Sequence, residues 1–191
     1  MAPVRSLVFI AMLAAMAFLL MATLNVPVLP AAPYLRYDPS DAVGLVAAVT
    51  MGPAAAVAVV FLKDLLWLFL RARGPFGPAA DFIAAATFVG VAGWVYHRRP
   101  LRAAPGGPRR DAAWLGLACV AGVTARVLIM IPANYAILYL QFGMPPARVT
   151  ALLLPAIVPF NAIKGALNGA LAVMLVSVLA RRGMTQPAAR R

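Results

Sequence analysis

Residues 42–70 read AVGLVAAVTMGPAAAVAVVFLKDLLWLFL, an apolar stretch in which only Lys63 and Asp64 carry charge. As a single helix rising 1.5 Å per residue it would reach about 43 Å, against a bilayer hydrocarbon core of about 30 Å. Gly52-Pro53 resolves the excess, because glycine ends helices and proline starts them but does not continue them. The stretch therefore reads as two short helices, about 41–52 and 54–70, joined by a tight turn. The first is too short for an upright span and is expected to tilt or to pack inside a bundle. The break decides the span count: with it there are six spans and both termini share a side, and without it there are five.

The rest of the chain supports a membrane reading. Of 191 residues, 64% are hydrophobic and only 12% charged, with a mean hydropathy of +0.90. Soluble domains run near 45–50% apolar and about 25% charged, and disordered chains are more polar still. At about 20 residues per span, roughly 120 residues would supply six spans, so residues 1–191 are expected to form one all-α, six-helix membrane domain. The remaining spans read as about 7–24, 80–96, 112–142 (interrupted at Pro132) and 150–179. The first is read as a retained helix rather than a cleaved signal peptide. Between the first two spans lies NVPVLPAAPYLRYDPSD, residues 25–41, expected to be a long extracellular loop. Its end looks like a helix start, with Asp38 as N-cap, Pro39 as first helical residue and Asp41 in the first turn.

Seventeen Lys and Arg face five Asp and no Glu, a net charge of +12. In a soluble protein this would suggest nucleic acid; here most basic residues flank apolar runs. With six spans and an inside amino terminus, ten of them lie inside: Arg5, Arg98, Arg99, Arg102, Arg109, Arg110, Arg181, Arg182, Arg190 and Arg191. Four lie outside: Arg36, Arg71, Arg73 and Arg148. The bias places both termini in the cytoplasm. Cys119 is alone and forms no intrachain disulfide, and His97, beside Arg98 and Arg99, reads as a solvated loop residue. There is no P-loop, no H-E-x-x-H, no G-x-S-x-G and no acidic cluster suited to a metal. Enzyme chemistry and a resident cofactor are not expected.

Three cations lie within apolar spans: Lys63, Arg126 and Lys164. Each costs about 2.5–3.5 kcal/mol at mid-membrane and should face the bundle interior with partners. Asp64 is the obvious acid but cannot pair with all three. In PFNAIKGALNGAL, residues 159–171, the spacing of Asn161, Lys164 and Asn168 puts them on one helix face. Such a stripe is either a binding site or an interhelical hydrogen-bond seam. Asn134, in IPANYAILYL, falls at similar depth in the preceding span, with Trp67, Tyr135, Tyr139 and Phe160 supplying aromatic surface. Two carboxamides, an ammonium and rings suit a flat uncharged heterocycle. Ala11 and Ala15 in the first span, and Gly165 and Gly169 in the last, are small-x-x-x-small pairs that permit close helix approach.

Taken in order, LRYDPSD, GP followed by KDLL, GPFGPAADF, ANY and PFNAIKG resemble the substrate-binding S components of energy-coupling factor (ECF) vitamin transporters, in the riboflavin-specific (RibU-type) branch. The resemblance runs from about residue 7 to 179. It implies a six-helix protein of a bacterial-type cytoplasmic membrane that captures riboflavin outside, as a transported ligand rather than a cofactor. The implied partners are a transmembrane coupling subunit, two ABC-type ATPase subunits and lipid, without nucleic acid. Asn134, Asn161 and Lys164 are implied to hydrogen-bond the flavin ring, Leu35, Arg36 and Tyr37 to contact it from the first loop, and Ala11 and Ala15 to face the coupling subunit. Asp81 departs from the pattern, where Asn is expected; an acid there is expected to change a helix cap or pair with a nearby cation, without altering the ligand. Rival readings are an S component for another vitamin, a structural membrane subunit, and a small membrane enzyme.

Overall fold

The computed structural model describes residues 3–29, 32–98 and 108–181. Helix α1 (Pro3–Thr23) is followed by strands β1 (Val26–Leu29) and β2 (Ala32–Tyr37). Helices α2 (Ser40–Met51), α3 (Pro53–Leu70), α4 (Phe76–His97) and α5 (Pro108–Phe142) come next. Helix α6 (Pro146–Leu152) passes through a π-helical turn (Leu153–Ile157) into α7 (Val158–Arg181). Five of these helical stretches are long and apolar enough to cross a membrane, from Val4–Thr23 to Pro146–Arg181. The chain is a multi-pass, mostly helical membrane protein.

The break in the 42–70 stretch lies where expected. Gly52 sits between α2 and α3 at φ +102°, a backbone region that residues with a Cβ rarely adopt, and Pro53 opens α3. At 12 residues α2 is too short to span, and it is buried along most of its length, from Ser40 to Val49. A membrane helix with no lipid-facing stripe must lie inside the bundle, so its polar first turn is carried in with it.

Three expectations change. Residues 25–37 are not an irregular loop. β1 and β2 form an antiparallel hairpin, Val26 opposite Tyr37 and Pro27 opposite Arg36, so the fold is not purely α. β-branched and aromatic residues alternate with prolines there, and an isolated hairpin suits both. Second, α5 continues through Pro132 without interruption. The irregularity falls instead at Pro155, whose ring cannot pack against the carbonyl four residues earlier and which lies in the π turn. Third, His97 is not simply solvated: its Nε2 lies 2.8 Å from the Ala48 carbonyl, tying the end of α4 to α2. Most of the basic 98–110 segment and the tail beyond Arg181 lie outside the described residues, or have undescribed side chains.

The apolar core joins α2, α3, α4, α5 and α7 around Leu45, Val59, Phe88 and Leu115. Glycine permits the closest approach. A Cβ on Gly122 of α5 would stand 2.6 Å from the Phe88 carbonyl oxygen of α4, and one on Gly165 of α7 would stand 2.9 Å from Val123 of α5. The second approach brings Arg126 beside Asn161.

Candidate functional site

Four acids and three cations meet inside the bundle. Lys164 Nζ donates to Asp38 Oδ2 and to Asp81 Oδ1, both at 2.8 Å. Lys63 Nζ donates to Asp81 Oδ2 at 2.6 Å and to Ser40 Oγ at 3.2 Å, with Asp64 and Asp41 oxygens at 3.3 and 3.6 Å. Arg126 donates from Nη1 to Asp41 Oδ2 at 2.6 Å and from Nε to Asn161 Oδ1 at 3.1 Å. Asp64 is therefore not the principal counter-ion. Among the described residues its ion pair is with Lys63 alone, and neither of its oxygens accepts a hydrogen bond. Asp38, Asp41 and Asp81 carry the pairing. Asp81, the departure from the expected Asn, bridges Lys63 and Lys164 with one oxygen each.

Two of these acids were expected merely to cap α2. Asp38 does accept from the backbone N–H of Ser40 at 3.1 Å, and from the Ser40 hydroxyl. The helix, however, begins at Ser40 rather than Pro39. Another N-terminal donor is satisfied from a distance: Asn168 Oδ1 on α7 accepts from Ala42 N, while its Nδ2 donates to Asp38 O, each at 3.0 Å. Asn168 is thus the hydrogen-bond seam of the polar stripe. Burial by itself would raise the Asp38 carboxyl pKa; the adjacent Lys164 ammonium outweighs it and holds the group below the ordinary carboxylate value.

Asn161 and Lys164, by contrast, face a cavity of about 170 Å³ together with Asn134 of α5. Leu35, Arg36, Trp67, Asp81 and Phe160 also line it. Tyr37, Tyr135 and Tyr139 do not line this cavity; Tyr135 instead pairs its hydroxyl with Thr150 at 2.8 Å. Leu35 of β2 packs on Ala156 and Phe160, so the hairpin covers the cavity over the π turn. Each carboxamide donates to its own helix four residues back, Asn134 to Met130 O at 2.7 Å and Asn161 to Ile157 O at 2.9 Å. The Asn161 oxygen is taken by Arg126, while Asn134 Oδ1 accepts nothing among the described residues. Lys164 has three N–H donors, two of them engaged. The cavity thus presents a carboxamide acceptor, a remaining ammonium donor and aromatic surface.

The family model for the substrate-specific component of ECF transporters matches residues 5–176. The chain belongs to that family. Its members are transport subunits, not enzymes. This S component is 30% identical to the riboflavin transporter RibU of Staphylococcus aureus, with 92% of this chain and 90% of the relative covered. It is 32% identical to the riboflavin transporter FmnP of Bacillus subtilis, with 85% of each covered. A solved bacterial ECF S component, 30% identical, superposes with a TM-score of 0.77 over 93% of this chain and 96% of that one.

Proposed function

We propose that this S component binds riboflavin outside the cell and delivers it to a transmembrane coupling subunit with two ABC-type ATPase subunits. One observation carries the reading: Asn134, Asn161 and Lys164, from two different helices, converge on one hairpin-covered cavity in a chain about 30% identical to riboflavin transporters. The chemistry agrees. The imide edge of a flavin has an N–H between two carbonyls. Asn134 Oδ1 accepts from such an N–H, and the remaining Lys164 N–H donates to a ring carbonyl. Leu35 and Arg36 supply the hairpin wall, and Tyr37 acts through the strand backbone. No cofactor is required; riboflavin is cargo.

In this reading the bundle has six membrane helices, α2 being the short inner one, and both termini are cytoplasmic. The hairpin end then faces outward. Ala11 and Ala15 are exposed on α1, whereas Ala14 and Ala17 are buried, and the Ala11–Ala15 face is the docking surface for the coupling subunit. The full-length protein, purified in detergent, is expected to show a flavin absorption spectrum or to quench added riboflavin fluorescence. A colourless protein that leaves riboflavin fluorescence unchanged would overturn the assignment.

A further inference from the structure

The buried ion-pair cluster does not balance. Among the described residues it holds four carboxyl groups, on Asp38, Asp41, Asp64 and Asp81, against three cations, Lys63, Arg126 and Lys164. These side chains are between 0 and 13% exposed, so water does not absorb the surplus charge. An uncompensated charge in such a place is costly, and a buried acid escapes the cost by taking up a proton. The donors decide which acid does so. Asp38 accepts from Lys164 and Ser40, and Asp81 accepts one lysine on each oxygen. Asp41 accepts Arg126 at 2.6 Å. Asp64 accepts nothing, although both its oxygens are buried. Lys63, 3.3 Å from it, already donates to Asp81 and Ser40, and Asp41 at 3.6 Å competes for the N–H that remains.

The elements packed on α3 offer Asp64 no further cation. α2 brings Asp41, α4 brings Asp81, and α1 carries no ionisable side chain beyond Arg5. An ionised carboxyl only accepts hydrogen bonds, whereas a neutral one also donates, and Asp41 Oδ1 is a buried acceptor of the same cluster that has no hydrogen-bond donor. No set of three side chains among the described residues is arranged to hold a metal ion, which favours a proton over Na⁺ as the missing counter-charge. We infer that Asp64 is a resident proton site: the folded bundle carries it as a neutral carboxylic acid, and this proton closes the charge balance. With Asp64 neutral, Lys63 stays on Asp81, and Asp81 in turn holds Lys164 at the cavity wall. Asp64 itself does not line the cavity, so the inference is independent of which ligand the cavity takes.

Infrared spectroscopy of the full-length protein, in a detergent without ester groups and near neutral pH, tests this directly. Wild type is expected to show the carbonyl band of a protonated carboxylic acid. Asp64→Asn should remove the band and Asp64→Glu should shift it, so the assignment survives if one variant fails to fold. No acid band in wild type, or a band unchanged in both variants, would overturn the proton site. Unfolding temperatures give a second readout. Above about pH 5 an unfolded aspartate is ionised, so a folded state that keeps one extra proton loses about tenfold in its folding equilibrium constant per pH unit. Wild type should therefore lose stability relative to Asp64→Asn as pH rises from about 5 to about 8. Parallel pH profiles would contradict the inference. So would stabilisation of wild type by NaCl but not by choline chloride in the absence of the acid band, which would give the counter-charge to a metal cation.

Discussion

Lys164 is asked to do two things at once. Its ammonium neutralises Asp38 and Asp81 in a buried setting, and in the proposed function it also donates to the flavin. Lys63 does only the first, reaching Asp81, Asp64 and Asp41 from outside the cavity lining. The two lysines should therefore separate stability from binding. Lys63→Met strands Asp64 and takes one of two cations from Asp41 and Asp81, and is expected to destabilise the fold by about 3–5 kcal/mol, the usual cost of removing one partner from a buried ion pair. Thermal unfolding in detergent, with and without riboflavin, measures it. Asn161→Ala removes a cavity-lining carboxamide and should weaken riboflavin binding by at least about 1 kcal/mol, since it leaves a buried polar group unpaired. Wild-type affinity in that variant would take Asn161 out of the site. Asp81 was legible in the sequence as a departure that could meet a nearby cation, without saying which. That it bridges the two lysines follows from where α4 passes, and neither spacing nor composition encodes that.

Among the elements, the hairpin and the glycine contacts carry the consequences. The inner cavity, about 170 Å³, is smaller than the roughly 300 Å³ or more of typical small-molecule sites, so a flavin needs a wider site than this one, and the hairpin forms part of its wall. Asp38, at the hairpin's root, tethers it to α7 through Lys164. Because that carboxyl is held below its ordinary value, the tether is at full strength above about pH 4 and is lost as pH falls through the lower folded-state value. Protection of the hairpin from proteolysis is expected to be flat from neutrality to about pH 5 and to fall in stronger acid. In Asp38→Asn that fall should disappear. Helix contacts give a second test. Gly122→Ala drives a Cβ against the α4 backbone and should cost about 1–3 kcal/mol as overpacking. Gly116→Ala on the same helix meets nothing within 4 Å and should be neutral or stabilising. Equal unfolding temperatures for the two would contradict the close α4–α5 approach.

At the scale of the whole molecule, the proposed function hands cargo to a coupling subunit, so a docking face belongs to that reading. Ala11→Trp and Ala15→Trp on the exposed side of α1 are expected to leave riboflavin affinity unchanged and to block assembly with the coupling subunit. Co-purification with that subunit tests this, and normal assembly of both variants would move the docking face elsewhere. The same scale explains the charge pattern. The buried charges of the described residues pair with one another, while Arg71 and Arg73 stay exposed and form no ion pair among the described residues.

Composition alone determined that this protein lives in a membrane, because no soluble globule of 191 residues hides so much apolar surface. Gly52-Pro53 marked the α2–α3 corner, since positive φ and a missing N–H are properties of the residues themselves. The spacing of Asn161, Lys164 and Asn168 put three polar groups on one face, because helical period is local. Which of them faces the cavity was decided only by tertiary packing. Asn168 meets the start of α2 and is used up there, whereas Asn161 and Lys164 meet open space beside Asn134. Asp38 and Asp41 looked like ordinary caps because the sequence left α2 either tilted or packed inside and named no partner for its first turn. Burial is a property of what surrounds a helix, and that depends on contacts more than a hundred residues apart, such as Asn168 with Ala42.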